Sequence, residues 1–599
     1  MCGFAGFIGQ SSYPSESRRG LLIRMGKQLA RRGPDDEQIY DDGRLAFVFR
    51  RLSIIDVDGG RQPIWNEDET VFVAVNGEIY NHHNLRRDLE RRHQFRTRSD
   101  SEVVLHLYEE LGSKCLAALN GIFAIILWDS VRGRLFLARD RLGVKPLYYS
   151  NTESGLIFGS ELKALLVHPE CPIQPSWRDA VEIRAESTFV RHVWSLPGGW
   201  SLARSPDGIV EKSEYWSIQN HFPVPGRPVN RTCEELIEEY ADLVEESVRR
   251  QLMSDVPVGI FLSGGLDSGA IAAIAASERR DIHCFTIDER MMRDIGDVDA
   301  ARFLAETLKL PFHPVDMNLD VFLEQIRFSL SRLEYFVWMM DSPRFDLEQL
   351  MKHELHRYVR TLIPGLKVIL LGQGADEFAG GYTGSGDWQS TVDALASTKV
   401  IKLDPASGSG APMAPYHQYM MRATVALQRH NLWHEDRTAA SQGIEARVPF
   451  LDHRLVEFLA GIPGGLHEEL FREKAILRKA ARRWLPVDFT RRPKSFRSFA
   501  DALSIERIGY LLRGMLEATL PEFREKYLSS GALLPISENR FQLLIDRTQQ
   551  GDVTASNGLL AAMSSTIFDR LCSSLRNSPT INALDPPSPL RETGYTRKN

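Results

Sequence analysis

The chain reads as a multidomain α+β and α/β protein. A strand-rich first part, with two sheets packed face to face, precedes a parallel, doubly wound sheet and a helical C-terminal part. Three observations predict this. Up to about residue 210, apolar residues fall in short unbroken runs separated by turn residues, the pattern of buried strands. After residue 232 such runs alternate with amphipathic or Ala-rich stretches, as in a parallel sheet with crossover helices. Between the two regimes His221-Phe222-Pro223-Val224-Pro225-Gly226-Arg227-Pro228 reads as a linker. At 599 residues the chain is also too long for one core.

In order, the first part offers strands at residues 45–49, 71–75, 122–127, 135–138 and 156–159. Residues 233–253 form a long amphipathic helix, 258–262 a buried strand and 269–278 an Ala-rich helix. A strand at 282–287 and a helix at 300–310 continue the alternation. The Gly, Ser and Pro of 383–415 predict a mobile segment, helices dominate from 416 to 568, and the Pro-rich end predicts a disordered tail. The expected domains are 1–210, 232–575 and a tail at 576–599.

Composition excludes several classes. Hydrophobic residues make up 43% and charged residues 25%, ordinary globular values. A net charge of -6 gives no basic footprint for nucleic acid. No apolar run is long enough for a bilayer, and the first residues lack the regions of a signal peptide. Six cysteines without paired spacing give neither a disulfide framework nor a CxxC metal pair. The expectation is a soluble cytoplasmic protein without nucleic-acid or membrane partners.

Cys2 is the most informative residue. Its small side chain lets an aminopeptidase remove Met1, leaving thiol and free α-amine on one residue. That amine titrates near pH 8 and can take the thiol's proton and return it to a leaving group. Asn76-Gly77-Glu78 follows the 71–75 strand. There a glycine permits close backbone approach and an Asn amide can stabilise an oxyanion. Glu78 and Asp100 can bind an ammonium, and Arg51 can clamp a carboxylate. Together they describe a pocket for an α-amino acid with a reactive side-chain carbonyl. Taken alone, Asn76-Gly77 reads as a hairpin turn with its charges in solvent.

Longer matches add to this. Met1-Cys2-Gly3, Arg32-Gly33-Pro34-Asp35, Arg51-Leu52-Ser53-Ile54-Ile55-Asp56, Asn76-Gly77-Glu78-Ile79-Tyr80-Asn81, Ser99-Asp100-Ser101-Glu102 and the run from Arg139 to Tyr149 resemble the glutaminase domain of class II glutamine amidotransferases. That resemblance implies an N-terminal-nucleophile αββα sandwich. It makes Cys2 the nucleophile, Asn76 and Gly77 the oxyanion hole, and Arg51, Glu78 and Asp100 the holders of glutamine.

A second site lies at Ser263-Gly264-Gly265-Leu266-Asp267-Ser268, between a buried strand and a helix. Gly, Ser and helix N-terminal N–H groups make an anion nest there, and the run is not a Walker A sequence. It resembles the PP-loop of ATP pyrophosphatases, which split ATP between the α- and β-phosphates. Gly374-Ala375-Asp376-Glu377, Gly380-Gly381-Tyr382, Gly443-Ile444-Glu445-Ala446-Arg447-Val448-Pro449-Phe450-Leu451-Asp452 and Glu473-Lys474-Ala475-Ile476-Leu477-Arg478 are similar to glutamine-hydrolysing asparagine synthetases. The resemblance spans about residues 1–500. It implies ATP as co-substrate, bound by Leu262, Ser263, Gly264, Gly265, Asp267, Ser268, Ile287 and Gly372. It also implies Mg²⁺ on Asp267 and Asp376, Lys474 as the catalytic cation, and a homodimer. Lys494 is either a further phosphate contact or part of a solvated basic face.

Two departures bear on the acceptor. Gln373 stands where this family commonly has a Glu associated with proton removal from ammonia, and an amide cannot act as a base at neutral pH. The aromatic, Met-rich run from Glu334 to Pro343 reads first as core and second as a wide apolar acceptor pocket. The leading expectation is an amidotransferase that hydrolyses glutamine and amidates an adenylated carboxylate, either aspartate or a specialised acid. One rival is a ring-forming synthetase of the β-lactam synthetase or lasso-peptide cyclase type. The other is a non-catalytic scaffold that keeps the fold.

Overall fold

The computed structural model describes residues 1–9, 15–176, 186–224, 231–289, 294, 296–318, 321–384, 386–397, 413–494 and 505–577. The first part is built on strands β1 (Gly3–Gly9), β2 (Asp36–Asp41), β3 (Leu45–Arg51), β4 (Ile64–Trp65), β5 (Val71–Ile79), β6 (Gly121–Asp129), β7 (Arg134–Arg139), β8 (Tyr148–Asn151), β9 (Gly155–Gly159), β10 (Trp194–Ser195), β11 (Trp200–Arg204) and β12 (Val210–Glu214). They form two sheets, ordered β10-β8-β9-β1-β3-β2 and β12-β11-β7-β6-β5-β4.

Alternation along each strand explains the unbroken apolar runs. In β3, Phe47 and Phe49 face the second sheet, where Phe72 of β5 stacks on Phe47 at 5.2 Å. Ala46 and Val48 face the other way, onto Leu22 and Met25 of the Ser15–Gln28 helix. In β6, Ile126 and Trp128 enter the inter-sheet core, while Phe123 and Ile125 meet the Glu102–Leu111 helix. These two strands are therefore apolar on both sides, and the layers run helix, sheet, sheet, helix.

The second part carries β13 (Val258–Phe261), β14 (Ile282–Asp288), β15 (Phe312–Asp316), β16 (Val368–Leu370) and β17 (Glu445–Arg447). All four pairings are parallel, in the order β15-β14-β13-β16-β17. Strand order reverses at β13, so the loops leaving β13 and β16 flank a topological switch point, where open α/β sheets bind ligands. The three residues each of β16 and β17 are too few to show a periodicity in sequence.

Three expectations change. The strand expected at 71–75 continues to Ile79, so Asn76, Gly77 and Glu78 lie inside it, paired with Ala124, Phe123 and Ile122. Within the expected mobile segment, Trp388–Ala396 is a helix capped by Asp387, which accepts from the Ser390 N–H, with Val392 and Ala396 buried. Residues 398–412 lie outside the described residues, as do 225–230 of the linker and 578–599 of the tail. The helix Val553–Asn577 carries ordered chain into the first residues of the expected tail.

The Met-rich run resolves as core. The Leu330–Met340 helix is buried along nearly its whole length, and its Trp338 indole donates to Gln28 of the first part at 3.0 Å. Its Glu334 accepts from Tyr527 of a C-terminal helix at 2.6 Å. The two parts are also joined by buried ions. Arg32 reaches Asp436 at 2.7 Å, Arg437 reaches Glu161 at 3.4 Å, and Lys163 reaches Asp341 at 3.4 Å.

Candidate active sites

Antiparallel pairing of Gly3 with Arg50 sets Cys2 beside the end of β3. The Cys2 thiol lies against the Leu52 backbone, 3.4 Å from its N and 3.6 Å from its O. The Arg32 guanidinium donates to the Cys2 carbonyl at 2.6 Å. A Cβ on Gly3 would lie 2.6 Å from Arg32 Cδ, so the glycine makes room for that arginine. Burial pushes the thiol's pKa up. Burial also lowers the Met1 amine to about 5, so with Met1 in place the amine is neutral at pH 7 and one residue away from the thiol.

The wholly buried amide of Asn76 has no hydrogen-bond partner on either Oδ1 or Nδ2. Buried polar groups are otherwise paired, so an orphan amide is poised to donate to a ligand. Gly77 has φ 142°, and a Cβ there would lie 1.9 Å from the Ile122 carbonyl. Sheet packing across the strand pair therefore demands this glycine.

Arg51 donates to the carbonyls of Ile55 (3.2 Å), Asp56 (2.7 Å) and Val57 (2.9 Å), which shapes the loop after β3. Asp100 accepts from the Ile79 N–H at 2.6 Å, and burial raises its pKa to about 6. Burial, then the charge of Asp100, pushes Glu78 well above the usual carboxylate range. Two carboxylates raised this way are stabilised by a ligand's ammonium. Glu78 also pairs with Arg447 of β17 at 3.2 Å, a cross-domain contact absent from the sequence reading. Glu445 pairs with Lys145 at 3.2 Å. The signal was present: Glu445 and Arg447 are charges two apart in a buried strand and share one face.

At the second site β13 runs into the nest. Gly264 has φ 79°, and a Cβ would strike the Asp297 carbonyl at 2.1 Å. Ser263 and Ser268 brace the turn, Oγ to Oγ, at 3.0 Å. Gly265 caps the Leu266–Glu278 helix without any side-chain bond to its first N–H groups, leaving them for an anion. The turn opens on a cavity of about 350 Å³ lined by Leu262, Ser263, Gly264, Gly265, Asp267 and Ile287, with Asp376, Lys474 and Lys494 opposite. Ser268 serves as a brace, and Gly372 packs on the Asp267 Cβ.

Buried Lys474 reaches Asp267 at 2.5 Å and Asp376 at 2.6 Å. Burial disfavours its charge, but the two carboxylates outweigh that and raise its pKa. Burial likewise pushes both carboxyls up; Asp267 ends above its usual value, while Lys474 and Lys494 bring Asp376 below. Lys494 lies 2.6 Å from Asp376 and 4.4 Å from the centre of the Tyr382 ring. A Cβ on Gly381 would lie 1.7 Å from Asp376 Oδ1, so only glycine fits behind this cluster.

Gln373 lies outside the cavity lining. Its Nε2 donates to Glu435 at 3.3 Å, and its Oε1 is buried without a partner. Glu435 is held charged by His356 at 2.7 Å and Lys352 at 3.4 Å. Glu435 was not singled out in the sequence, since nothing in its spacing points to position 373.

Residues 1–216 match the model of a glutamine amidotransferase domain, and residues 239–547 match that of asparagine synthase. The chain belongs to the asparagine synthase family. Among its relatives, glutamine-hydrolysing asparagine synthetase 2 of Bacillus subtilis is 38% identical, over 82% of this chain and 71% of the relative. Asparagine synthetase 3 of the same organism is 30% identical, over 83% and 86%. Asparagine synthetase B of Escherichia coli is 30% identical, over 85% and 84%. In this chain β17 contacts the first site, where Arg447 pairs with Glu78, and the Arg447 carbonyl accepts from the Leu371 N–H at the start of the Gln373 loop at 2.9 Å.

Proposed function

We propose that this enzyme makes asparagine from aspartate, ATP and glutamine. The carrying observation is the Asp267–Lys474–Asp376 cluster facing an anion nest at the switch point, in one chain with Cys2 buried against the Leu52 backbone and an orphan Asn76 amide. The names of the relatives favour aspartate, and the burial of the Glu334–Pro343 run removes the argument for a wide apolar acceptor pocket.

After loss of Met1, the Cys2 thiolate attacks the glutamine amide carbon. Asn76 and the Gly77 N–H stabilise the oxyanion, and the α-amine returns the proton as ammonia leaves. Water then cleaves the thioester to glutamate. In the second site the aspartate side-chain carboxylate attacks the ATP α-phosphate. The helix N-terminus and Lys474 take up charge on the departing pyrophosphate. Ammonia crossing the domain interface attacks the acyl adenylate, and AMP leaves. Asp267 and Asp376 suit Mg²⁺, a hard cation that takes carboxylate and phosphate oxygens, and Asp267 Oδ1 is buried without a partner. When bound, Mg²⁺ would neutralise phosphate charge. No helix among the described residues is long and apolar enough to cross a membrane, and all six cysteines are free thiols, which supports a cytoplasmic place of action.

The test is asparagine and AMP formation from aspartate, ATP and Mg²⁺, with glutamine or ammonia. Asparagine from both nitrogen sources is expected. Glutamate release without asparagine or AMP would remove aspartate as the acceptor.

A further inference from the structure

Outside both sites, four side chains converge on the outer face of the second sheet: Glu67 from the β4–β5 turn, His93 from the loop after the His82–Leu89 helix, and His106 and Glu109 from the Glu102–Leu111 helix. One ligand atom from each lies within 4.8 Å of the others. His93 Nδ1 is 3.5 Å from Glu109 and 3.7 Å from Glu67, and His106 Nδ1 is 2.8 Å from Glu109. The edges of a tetrahedral site with bonds near 2.05 Å are about 3.3 Å, inside that spread.

Each ligand is held from behind. His93 Nε2 faces Glu110 at 3.2 Å, and Arg92 fixes that carboxylate. His106 Nε2 faces Glu102 at 3.8 Å, whose oxygens accept from the Arg96 and Thr97 N–H groups. Asn66 donates to the other oxygen of Glu109 at 2.8 Å, and the Gln94 N–H donates to Glu67 at 2.7 Å. Outer carboxylates on the far nitrogens of two histidines are the support that metal-ligating imidazoles receive.

The tautomers point the same way. His106 is wholly buried, and its Nε2 makes no hydrogen bond. One proton cannot serve both of its nitrogens, since each faces a carboxylate. With one proton on Nε2, toward Glu102, the Nδ1 lone pair faces Glu109 at 2.8 Å, a contact that a second proton closes as a hydrogen bond and that a bound metal would replace. His93, stacked on His106 at 4.5 Å, aims its own Nδ1 at the same Glu109. One shared divalent ion would meet both Nδ1 lone pairs.

We propose that Glu67, His93, His106 and Glu109 bind a divalent transition metal of the Zn²⁺ class. The metal would tie the β4–β5 turn and the 93–97 segment to the helix just beyond Asp100. The full-length chain carrying Cys2→Ala, which removes a competing thiol, is stripped with chelator and titrated with Zn²⁺ by calorimetry and with Co²⁺ by visible absorption. One site per chain and a tetrahedral Co²⁺ spectrum are expected. His93→Gln, a partly exposed position, abolishes both, and Glu110→Gln weakens binding about tenfold. His434→Gln, in a separate His–Glu group, leaves binding unchanged. Binding no tighter than in His93→Gln would overturn the proposal and leave a proton-only cluster, as would binding lost in His434→Gln. With Cys2 intact and Mg²⁺ in excess, stripping is expected to raise the glutamine KM several-fold and spare ammonia-dependent synthesis; an unchanged KM would overturn the link to Asp100.

Discussion

Replacing Lys474 by Met keeps the length and volume of the side chain and removes its charge. The lysine bridges two buried carboxylates at 2.5 and 2.6 Å. At an effective dielectric near 20, each contact carries roughly 6 kcal/mol of Coulomb attraction, most of which offsets the cost of burying the ions. Removing one partner of such a buried pair costs about 3–5 kcal/mol of stability. Here the lower end applies, because Lys494 remains 2.6 Å from Asp376 and Asp267 can take a proton. The catalytic loss is separate. A preorganised group facing developing charge is worth about 2.7–4 kcal/mol, so AMP formation should fall about 10²–10³-fold. The assay is ATP–pyrophosphate exchange and AMP release with aspartate, run beside glutamate release from glutamine. Glutaminase activity should persist, since its residues lie in the other domain, and this control reports that the chain is folded. AMP formation within tenfold of the unaltered enzyme, with glutaminase retained, would refute the role given to Lys474.

Cys2→Ala should abolish glutamine-dependent asparagine formation and retain the ammonia-dependent reaction; loss of both in a folded protein would contradict two separate sites. Asp100, raised to about 6, must be ionised to hold an ammonium, so kcat/KM for glutamine should fall about tenfold per pH unit below 6. A profile flat down to pH 5 would show that Asp100 does not carry that contact. Gln373→Glu would place a carboxylate against Glu435, where the amide now donates at 3.3 Å. That variant should lose about 1–3 kcal/mol of stability and alter the ratio of asparagine to AMP more than the rate of adenylation; an unchanged ratio and melting temperature would exclude position 373 from ammonia transfer.

The sequence by itself determined the strand-rich and alternating regimes, because burial on both sheet faces and crossover helices leave their periods in the chain. It also determined the local pieces of each site, because an N-terminal cysteine, a Gly-Gly nest and their flanking acids are contiguous. Only the tertiary structure decided what long-range packing sets. The strand expected to stop at Val75 continues through Asn76, Gly77 and Glu78, because β6 is there to pair with it. The Met-rich run is core because the Ser15–Gln28 helix and the C-terminal helices cover it. Lys474 acquires its role from carboxylates 207 and 98 positions away, Asp267 and Asp376. Glu78 meets Arg447, and Gln373 meets Glu435, through folding alone. Charge pairing at such separations leaves no periodic trace, because its energy depends on distance in space and not on spacing along the chain.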